Sequence, residues 1–194
     1  YQSDLEQLIE GKTHHLVVRE VKYQNLFNTM IQGVVYQDEK GKISSANPAA
    51  EEILGLTLDQ MQGRTSTDPM WHAIREDGSP WPGDEHPSMI ALVSGEEVKN
   101  ALMGVFNPVT DGYTWINIHA VPLFRPGEER PYEVFTTFED VTFRKKNLEL
   151  LKKSEMLYHD LVETSQDLIW QCDEEGRYTY LNPAWEEVLG YKVD

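Results

Sequence analysis

Two acidic residues stand beside a histidine at Asp84, Glu85 and His86, a grouping that could serve acid–base chemistry or bind a metal ion. An active site also needs an orienting partner or a nucleophile, and the sequence places neither next to these residues. The histidines as a set do not show the spacing of zinc ligands. They are His14, His15, His72, His86, His119 and His159. The sequence therefore predicts no catalytic residue and no metal site.

A pair of carboxylates, Glu51 and Glu52, follows Asn47 and Pro48. The asparagine can cap a helix, and the proline suits the first helical position. Carboxylates near a helix start favour the positive end of its dipole, and Gly55 predicts where the helix stops. The same residue types recur at Asn182, Pro183, Glu186, Glu187 and Gly190. Because architecture accounts for both sets, we do not assign them catalytic roles.

The recurrence belongs to a repeat without gaps. Residues 26–59 align with residues 161–194 at a constant offset of 135 positions, and thirteen of the 34 pairs are identical. The match extends backward: Leu16, Glu20 and Tyr23 correspond to Leu151, Glu155 and Tyr158. A fixed period indicates an array of similar units. The second unit stops partway, so we expect a piece of a longer protein.

Composition restricts the partners of this chain. Lys and Arg number 17 against 33 Asp and Glu, a formal charge of −16, which would repel a nucleic-acid backbone. Cys172 is the one cysteine, which suits a reducing cytosol. With no signal peptide and no apolar stretch long enough for a bilayer, we expect a cytoplasmic segment without membrane contact. A membrane anchor elsewhere in the parent protein remains open.

The first thirty residues predict a helix with a weak coiled-coil seam. Ile9, Leu16, Tyr23 and Met30 are each seven positions apart. The other positions of the seam are Leu5, Lys12, Arg19 and Leu26, of which Lys12 and Arg19 are charged. Such a helix can pair without locking tightly, so we expect a homodimer through the connector helices.

Beyond this helix the pattern is that of an α+β domain. Residues 33–37 and 43–46 predict a hairpin, and residues 87–94 predict a helix ended by Gly95. Three longer strands follow at 97–106, 113–124 and 132–141. The order of elements predicts a five-stranded antiparallel sheet with short helices on one face, flanked by long connector helices.

Several short motifs occur in the order found in PAS domains. They are the hairpin followed by Asn47-Pro48-Ala49 with residues 51–55, residues 87–92 with 94–96, Asp111-Gly112 with Trp115, residues 120–123, and Asp140-Val141-Thr142 with Arg144-Lys145. The last group resembles the signature that closes many PAS domains. Residues 26–144 resemble a complete PAS domain, and residues 161–194 resemble the start of a second one.

The resemblance implies a sensory module whose cavity between helices and sheet takes a small molecule. The candidates for lining it are Trp71, Met89, Val93, Met103, Trp115, Asn117 and Phe135. The alternative is that these residues simply fill the core. Asp140, Thr142 and Arg144 are the candidates for relaying a signal into the following helix, by capping and by pairing of Asp140 with Arg144.

The cofactor stays unknown at this stage. His86 precedes Pro87 where some haem-binding PAS domains carry their ligand, but a lone histidine is poor evidence for haem. A flavin photosensor needs a reactive cysteine in a helix motif, whereas Cys172 aligns with Gln37 and predicts a small core or strand residue.

His159 and Asp160 resemble the phosphoacceptor motif of histidine kinases. The Arg and Pro expected after them are missing, and His159 aligns with Gln24 of the first connector helix, which favours a linker position. The sequence shows neither the glycine-rich loop of a kinase ATPase domain nor a cyclase motif. We therefore expect no enzyme in this segment, and an output kinase or cyclase elsewhere in the parent chain.

Two hypotheses follow. In the first, the chain is a tandem sensor module of a two-component phosphorelay protein, with a connector helix at 1–32, a complete domain at 33–141, a linker helix at 142–166 and a truncated domain at 167–194. In the second, the complete domain is an empty scaffold that dimerises. A sensor for a diguanylate cyclase is a variant of the first hypothesis.

Overall fold

The structure is a computed structural model that describes residues 2–62, 64–66, 71–190 and 192, with side chains described from residue 12 onward. The chain divides into two compact units, Tyr1–Thr142 and Phe143–Asp194. The finer division into four segments stays a prediction.

The elements of the first unit are α1 (Gln2–Thr29), β1 (Gly33–Asp38), β2 (Ile43–Ala46), α2 (Pro48–Leu54), α3 (Leu58–Met61), β3 (Ala73–Ile74), a 3₁₀ turn (Gly83–Glu85), α4 (Pro87–Ser94), β4 (Val98–Asn107), β5 (Gly112–Leu123) and β6 (Glu133–Asp140). Those of the second unit begin with α5 (Thr142–Thr164), whose first residue closes the first unit, and continue with β7 (Trp170–Cys172), β8 (Tyr178–Leu181) and α6 (Ala184–Leu189).

The sheet of the first unit is antiparallel throughout, in the order β2-β1-β6-β5-β4-β3. The predicted α+β class and the three long strands are confirmed. The sheet has six strands rather than five because Ala73 and Ile74 pair with β4 at its edge. Two residues are too short to show an alternating pattern in the sequence.

Local chemistry forms the first hairpin and the helix after it. The carboxylate of Asp38 accepts hydrogen bonds from the amides of Lys40 and Lys42, both at 2.9 Å, and Gly41 takes a left-handed φ of 75°. Asn47 then caps α2 by accepting from the amide of Ala50, with Pro48 in the first turn and a left-handed Gly55 at the end. The predictions for this segment are confirmed.

The capping prediction for the second copy is wrong. Helix α6 begins at Ala184 with Pro183 as its cap residue, and the Asn182 side chain makes no capping bond. Its oxygen accepts from the amide of Ile169 at 2.9 Å. Trp185 stands where the first copy has Ala50, and its indole donates to the carbonyl of Ile169. The polar groups at this helix start are therefore arranged differently.

One face of the sheet carries the core. Along β5 and β6 burial alternates strictly, as it does for strands with one covered face. The inward residues of β5 are Thr114, Ile116, Ile118 and Ala120, and those of β6 are Val134, Thr136 and Phe138. They pack with the short helices and leave an opening between helices and sheet, described below.

Helix α1 leaves apolar residues uncovered in the single chain. Leu16 and Leu26 are 63% and 66% exposed. Tyr23 instead donates its hydroxyl hydrogen to the hydroxyl of Tyr36 at 2.9 Å, which ties α1 to the outer face of β1. The predicted seam residues Leu5 and Ile9 lie outside the described side chains.

Among the described residues, none of the helices combines the length and apolarity that a bilayer crossing requires.

Candidate functional site

The first unit contains a cavity between its sheet and its short helices. Its volume is about 80 Å³, which is the space that the centres of water-sized molecules can reach. The wall is mainly apolar and comes from all six strands, two helices, the loop before β3 and His86 at the start of α4. The lining residues are Val35, Gln37, Ile43, Leu54, Ser66, Trp71, Ala73, His86, Pro87, Ser88, Met103, Val105, Ile116, Ile118, Thr136 and Phe138.

Two polar atoms in this wall have no hydrogen-bond partner among the described residues. They are the indole nitrogen of Trp71 and the hydroxyl of Thr136, both shielded from solvent. Thr136 sits on the central strand β6 and is 7% exposed, so solvent does not satisfy its hydroxyl. Leaving a buried polar group unpaired costs about 1 to 3 kcal/mol, and such groups in a native structure call for an explanation.

The other polar side chains of the wall are engaged with each other and with the backbone. The amide of Gln37 donates to the carbonyl of Gly41 at 2.9 Å and to the hydroxyl of Ser66 at 3.4 Å. The Ser66 hydroxyl in turn lies 3.4 Å from that of Ser88. This chain of contacts makes one side of the cavity polar without placing a charge there.

His86 completes the polar side. It is 6% exposed, and its Nε2 donates to the carbonyl of Trp81 at 3.1 Å. Burial lowers the pKa of His86, because desolvation penalises the charged imidazolium. A buried neutral histidine with an engaged Nε2 shapes the wall. Among the described residues, no group of three or more His, Cys, Asp and Glu side chains is arranged to hold a metal ion.

Of the predicted ligand-contacting residues, Trp71 and Met103 line the cavity. Trp115, Asn117 and Phe135 do not, because their neighbours Ile116, Ile118 and Thr136 face it and successive side chains of a strand point to opposite faces. Phe135 packs instead against Tyr36 on the outer face, with ring centres 5.1 Å apart. Assigning these three to the cavity chose the wrong face of the sheet.

The two predicted residues of α4 also lie away from the cavity wall. Val93 is 83% exposed. Met89 is half-buried and approaches the hairpin turn so closely that a Cβ on Gly41 would clash with its sulfur. Helix α4 contributes Pro87 and Ser88 to the wall instead.

Sequence reasoning missed most of the polar wall, namely Gln37, Ser66, His86, Ser88 and Thr136. One usable signal was present. Ile116, Ile118 and Ala120 form the apolar face of β5, and an apolar face is the one that faces a core. Ala120 pairs with Thr136 of β6 in the sheet, so Thr136 lies on the same covered face.

The predicted relay residues meet where β6 ends. The carboxylate of Asp140 accepts from the amide of Thr142, and the hydroxyl of Thr142 accepts from the amide of Trp115, both at 2.8 Å. Arg144 is an exposed residue of the second unit, and its pairing with Asp140 stays a prediction. The junction is thus hydrogen-bonded to the strand next to it.

The family model described as the PAS fold matches residues 22–141, and a second one, described as a PAS domain, matches residues 156–194. The first match alone covers more than half of the chain. Together with the antiparallel sheet and its cavity, it shows that the chain belongs to the PAS domain family. The class of the protein is therefore that of the PAS-fold proteins.

Relatives and solved structures resemble the chain at low identity. Uncharacterized protein y4lL of Sinorhizobium fredii is 25% identical over 124 residues, which are 60% of this chain and 15% of that protein. The chain thus spans about a seventh of that relative's length. An RNA-binding light-oxygen-voltage receptor is 19% identical with a TM-score of 0.55, over 71% of this chain and 37% of its own. That likeness shows the fold alone.

Two further structures are similar. The PAS domain of a protein from Colwellia psychrerythraea is 19% identical with a TM-score of 0.49, over 66% of this chain and 98% of that domain. A domain of a sensor histidine kinase/response regulator from Geobacter sulfurreducens is 20% identical with a TM-score of 0.47, over 64% of this chain and 96% of that domain.

Proposed function

We propose that the chain is the sensory module of a signal-transduction protein, which binds a small ligand in the cavity of its first unit and relays the change through its C-terminal helix. The observation that carries this proposal is the pair of unpartnered polar atoms, on Trp71 and Thr136, in a mainly apolar wall. In a core that only fills space, such atoms would lose their hydrogen bonds to water and gain none in return. A ligand that pairs with them recovers the hydrogen bonds they lack.

The proposed relay runs along the two central strands. Thr136 and Phe138 face the cavity from β6, whose last residue is Asp140. Ile116 faces it from β5, next to Trp115, whose amide donates to the Thr142 hydroxyl. A ligand that fits one arrangement of these strands better shifts the population toward it, and the start of α5 follows.

The parent protein in this proposal is a sensor histidine kinase acting in a phosphorelay, with a diguanylate cyclase as the alternative output. The segment itself senses and does not catalyse, and it acts in the cytoplasm. The acidic charge of −16 supports a role without nucleic acid.

A second candidate function is dimerisation through the connector helix. Its support is the set of exposed apolar residues on α1: Leu16, Val17, Val21 and Leu26 are each more than half exposed. In a single chain these side chains face water, and a second copy of the same helix would cover them. The two candidates are compatible if a dimer carries the sensor.

Native mass spectrometry and absorption spectra of the purified chain test the sensor proposal. We expect a retained small molecule, or a shift in melting temperature of several degrees with one member of a metabolite library. A chain that is ligand-free, spectrally silent and indifferent to every library member would overturn it.

For the dimer, replacing Leu16 and Leu26 by Glu should halve the mass measured by light scattering. The matched control is Val109→Glu, an exposed apolar residue in the turn before β5 at 78% exposure. It should leave the mass unchanged. Equal masses for the double variant and the wild type would count against pairing through α1.

A further inference from the structure

We propose that the ligand of the cavity is a compact, uncharged and largely apolar molecule that carries a hydrogen-bond-accepting oxygen, such as a small ketone or amide. This inference rests on the proposed sensor function, since it names the ligand class of the same site. Three properties of the wall define the class: its charge, its unpaired polar atoms and its size.

The wall carries no charge to balance a charged ligand. None of its described residues is Asp, Glu, Lys or Arg. Its one basic side chain, His86, already donates Nε2–H to the carbonyl of Trp81, and burial keeps the ring neutral. Moving an ion into such a cavity without a partner is very costly. A carboxylate, a phosphate or an ammonium ligand is therefore disfavoured.

The unpaired atoms define the polar group of the ligand. An indole Nε1–H can only donate, so Trp71 requires an acceptor. The hydroxyl of Thr136 can donate to the same oxygen or to another one. Gln37, Ser66 and Ser88 are already linked to one another and to the backbone. One acceptor oxygen suffices for the Trp71 indole.

The rest of the wall defines the body and the size. Aliphatic and aromatic side chains surround the polar atoms: Val35, Ile43, Leu54, Met103, Val105, Ile116, Ile118 and Phe138. Since one water needs about 10 to 15 Å³ on this measure, about 80 Å³ holds roughly five to eight heavy atoms. A small ring or branched chain with one carbonyl group matches this space.

Three probes within about five to eight heavy atoms, the range that the cavity holds, test the class: cyclopentanone, cyclopentane and cyclopentanecarboxylate. Binding to the full chain is followed by two-dimensional NMR of the backbone amides of Met103, Ile118 and Thr136 and of the Trp71 indole. We expect cyclopentanone to shift these signals with an affinity at least about tenfold higher than cyclopentane, which corresponds to one hydrogen bond. Cyclopentanecarboxylate should shift none of them.

Variants locate the hydrogen bonds. Thr136→Val keeps the shape and removes the hydroxyl, and Trp71→Phe keeps an aromatic ring and removes the N–H. Each should weaken cyclopentanone about tenfold and leave cyclopentane unchanged. The matched controls are Thr137→Val and Trp115→Phe, which make the same changes on the outer face of the sheet. Both controls should bind cyclopentanone like the wild type.

The two proposals fail in different ways. If the carboxylate or cyclopentane binds in the cavity at least as tightly as cyclopentanone, or if neither cavity variant weakens the ketone, the ligand class is wrong and the sensor site stands. If none of the probes shifts any cavity signal, the cavity does not admit small molecules and the sensor proposal itself is overturned.

Discussion

Asn47 of the first unit and Asn182 of the second occupy equivalent positions of the repeat, and both are fully buried. The Asn47 amide nitrogen donates to the carbonyl of Phe27 at 3.1 Å and to that of Gln32 at 2.9 Å. Its oxygen accepts from the amide of Val34 at 2.8 Å. One side chain thereby joins the end of α1 to the strand that follows.

The second unit repeats the three hydrogen bonds that link the helix to the strand, without the capping bond. The Asn182 nitrogen donates to the carbonyls of Val162 and Asp167, at 3.1 and 2.9 Å, and its oxygen accepts from Ile169. Each of these partners lies 135 positions after its counterpart. The described part of the second unit contains a two-stranded sheet, and the hydrogen bonds between helix and strand form there as they do beside the six-stranded sheet.

The units differ in what surrounds the repeated residues. A Cβ at Gly55 would clash with the side chain of Asn107 on β4, whereas a Cβ at the equivalent Gly190 would meet nothing. The hydrogen bond between the hydroxyls of Tyr23 and Tyr36 has no counterpart among the described residues of the second copy, because Gln171 stands at the position of Tyr36. The comparison teaches that local hydrogen bonding is set within about twenty residues, while dense packing requires the later strands.

Replacing Asn47 and Asn182 one at a time tests whether the two units are stabilised independently, and it should give the largest change in stability. Asn47→Ala removes the side-chain partner of four backbone groups, two of them in buried and two in partly buried hydrogen bonds, so the free energy of unfolding should fall by about 3 to 5 kcal/mol. Asn182→Ala should leave the urea midpoint of the first unit unchanged and remove hydrogen-exchange protection from β7 and β8. An equal loss of the midpoint in both variants would contradict the independence of the two units.

Alanine at the helix-ending glycines should give a smaller and graded effect. Both Gly55 and Gly190 are left-handed, with φ of 66° and 74°, so each substitution costs about 1 kcal/mol in backbone strain. Gly55→Ala additionally displaces Asn107, whose nitrogen donates to the carbonyl of Ile53, and should cost about 2 to 3 kcal/mol in urea unfolding. The control is Gly190→Ala, whose effect is measured as hydrogen-exchange protection in α6. Equal costs would show that packing around Gly55 is looser than described.

The smallest expected effect is the pH dependence of unfolding that His86 contributes to the first unit. Because burial lowers the pKa of folded His86, the unfolded chain takes up a proton there first as the pH falls below about 6.5. The free energy of unfolding should therefore decrease between pH 7 and pH 5. His86→Asn should flatten this slope in urea titrations. Identical slopes in the two proteins would mean that His86 is accessible to protons in the folded state.

The sequence predicted the local elements well. The hairpin turn at Asp38 and Gly41, the cap at Asn47 and the helix end at Gly55 each depend on side chains that act on backbone groups a few positions away. Such interactions are encoded by residue type and spacing. The predicted cap at Asn182 did not form: the backbone amide of Trp185 donates to the backbone carbonyl of Asn182, and the side-chain oxygen accepts from Ile169 alone among the described residues.

The candidate site could be predicted only in part. Trp71 and Met103 were identified, but Trp115, Asn117 and Phe135 were assigned to the wrong face, since large side chains on a strand do not by themselves reveal which face is covered. The two-residue strand β3 and the polar side of the cavity also depend on contacts between distant segments. Gln37 and Ser66, for example, lie 29 positions apart.

By itself the sequence determined the repeat, the family, the α+β class and the turns and first helix cap, because these follow from short-range chemistry and periodic burial. The tertiary structure decided which face of the sheet holds a cavity, and it left Trp71 and Thr136 without partners there. The physical reason is that a cavity is a property of the space between elements. That space exists only after helices and strands from the whole first unit have packed together.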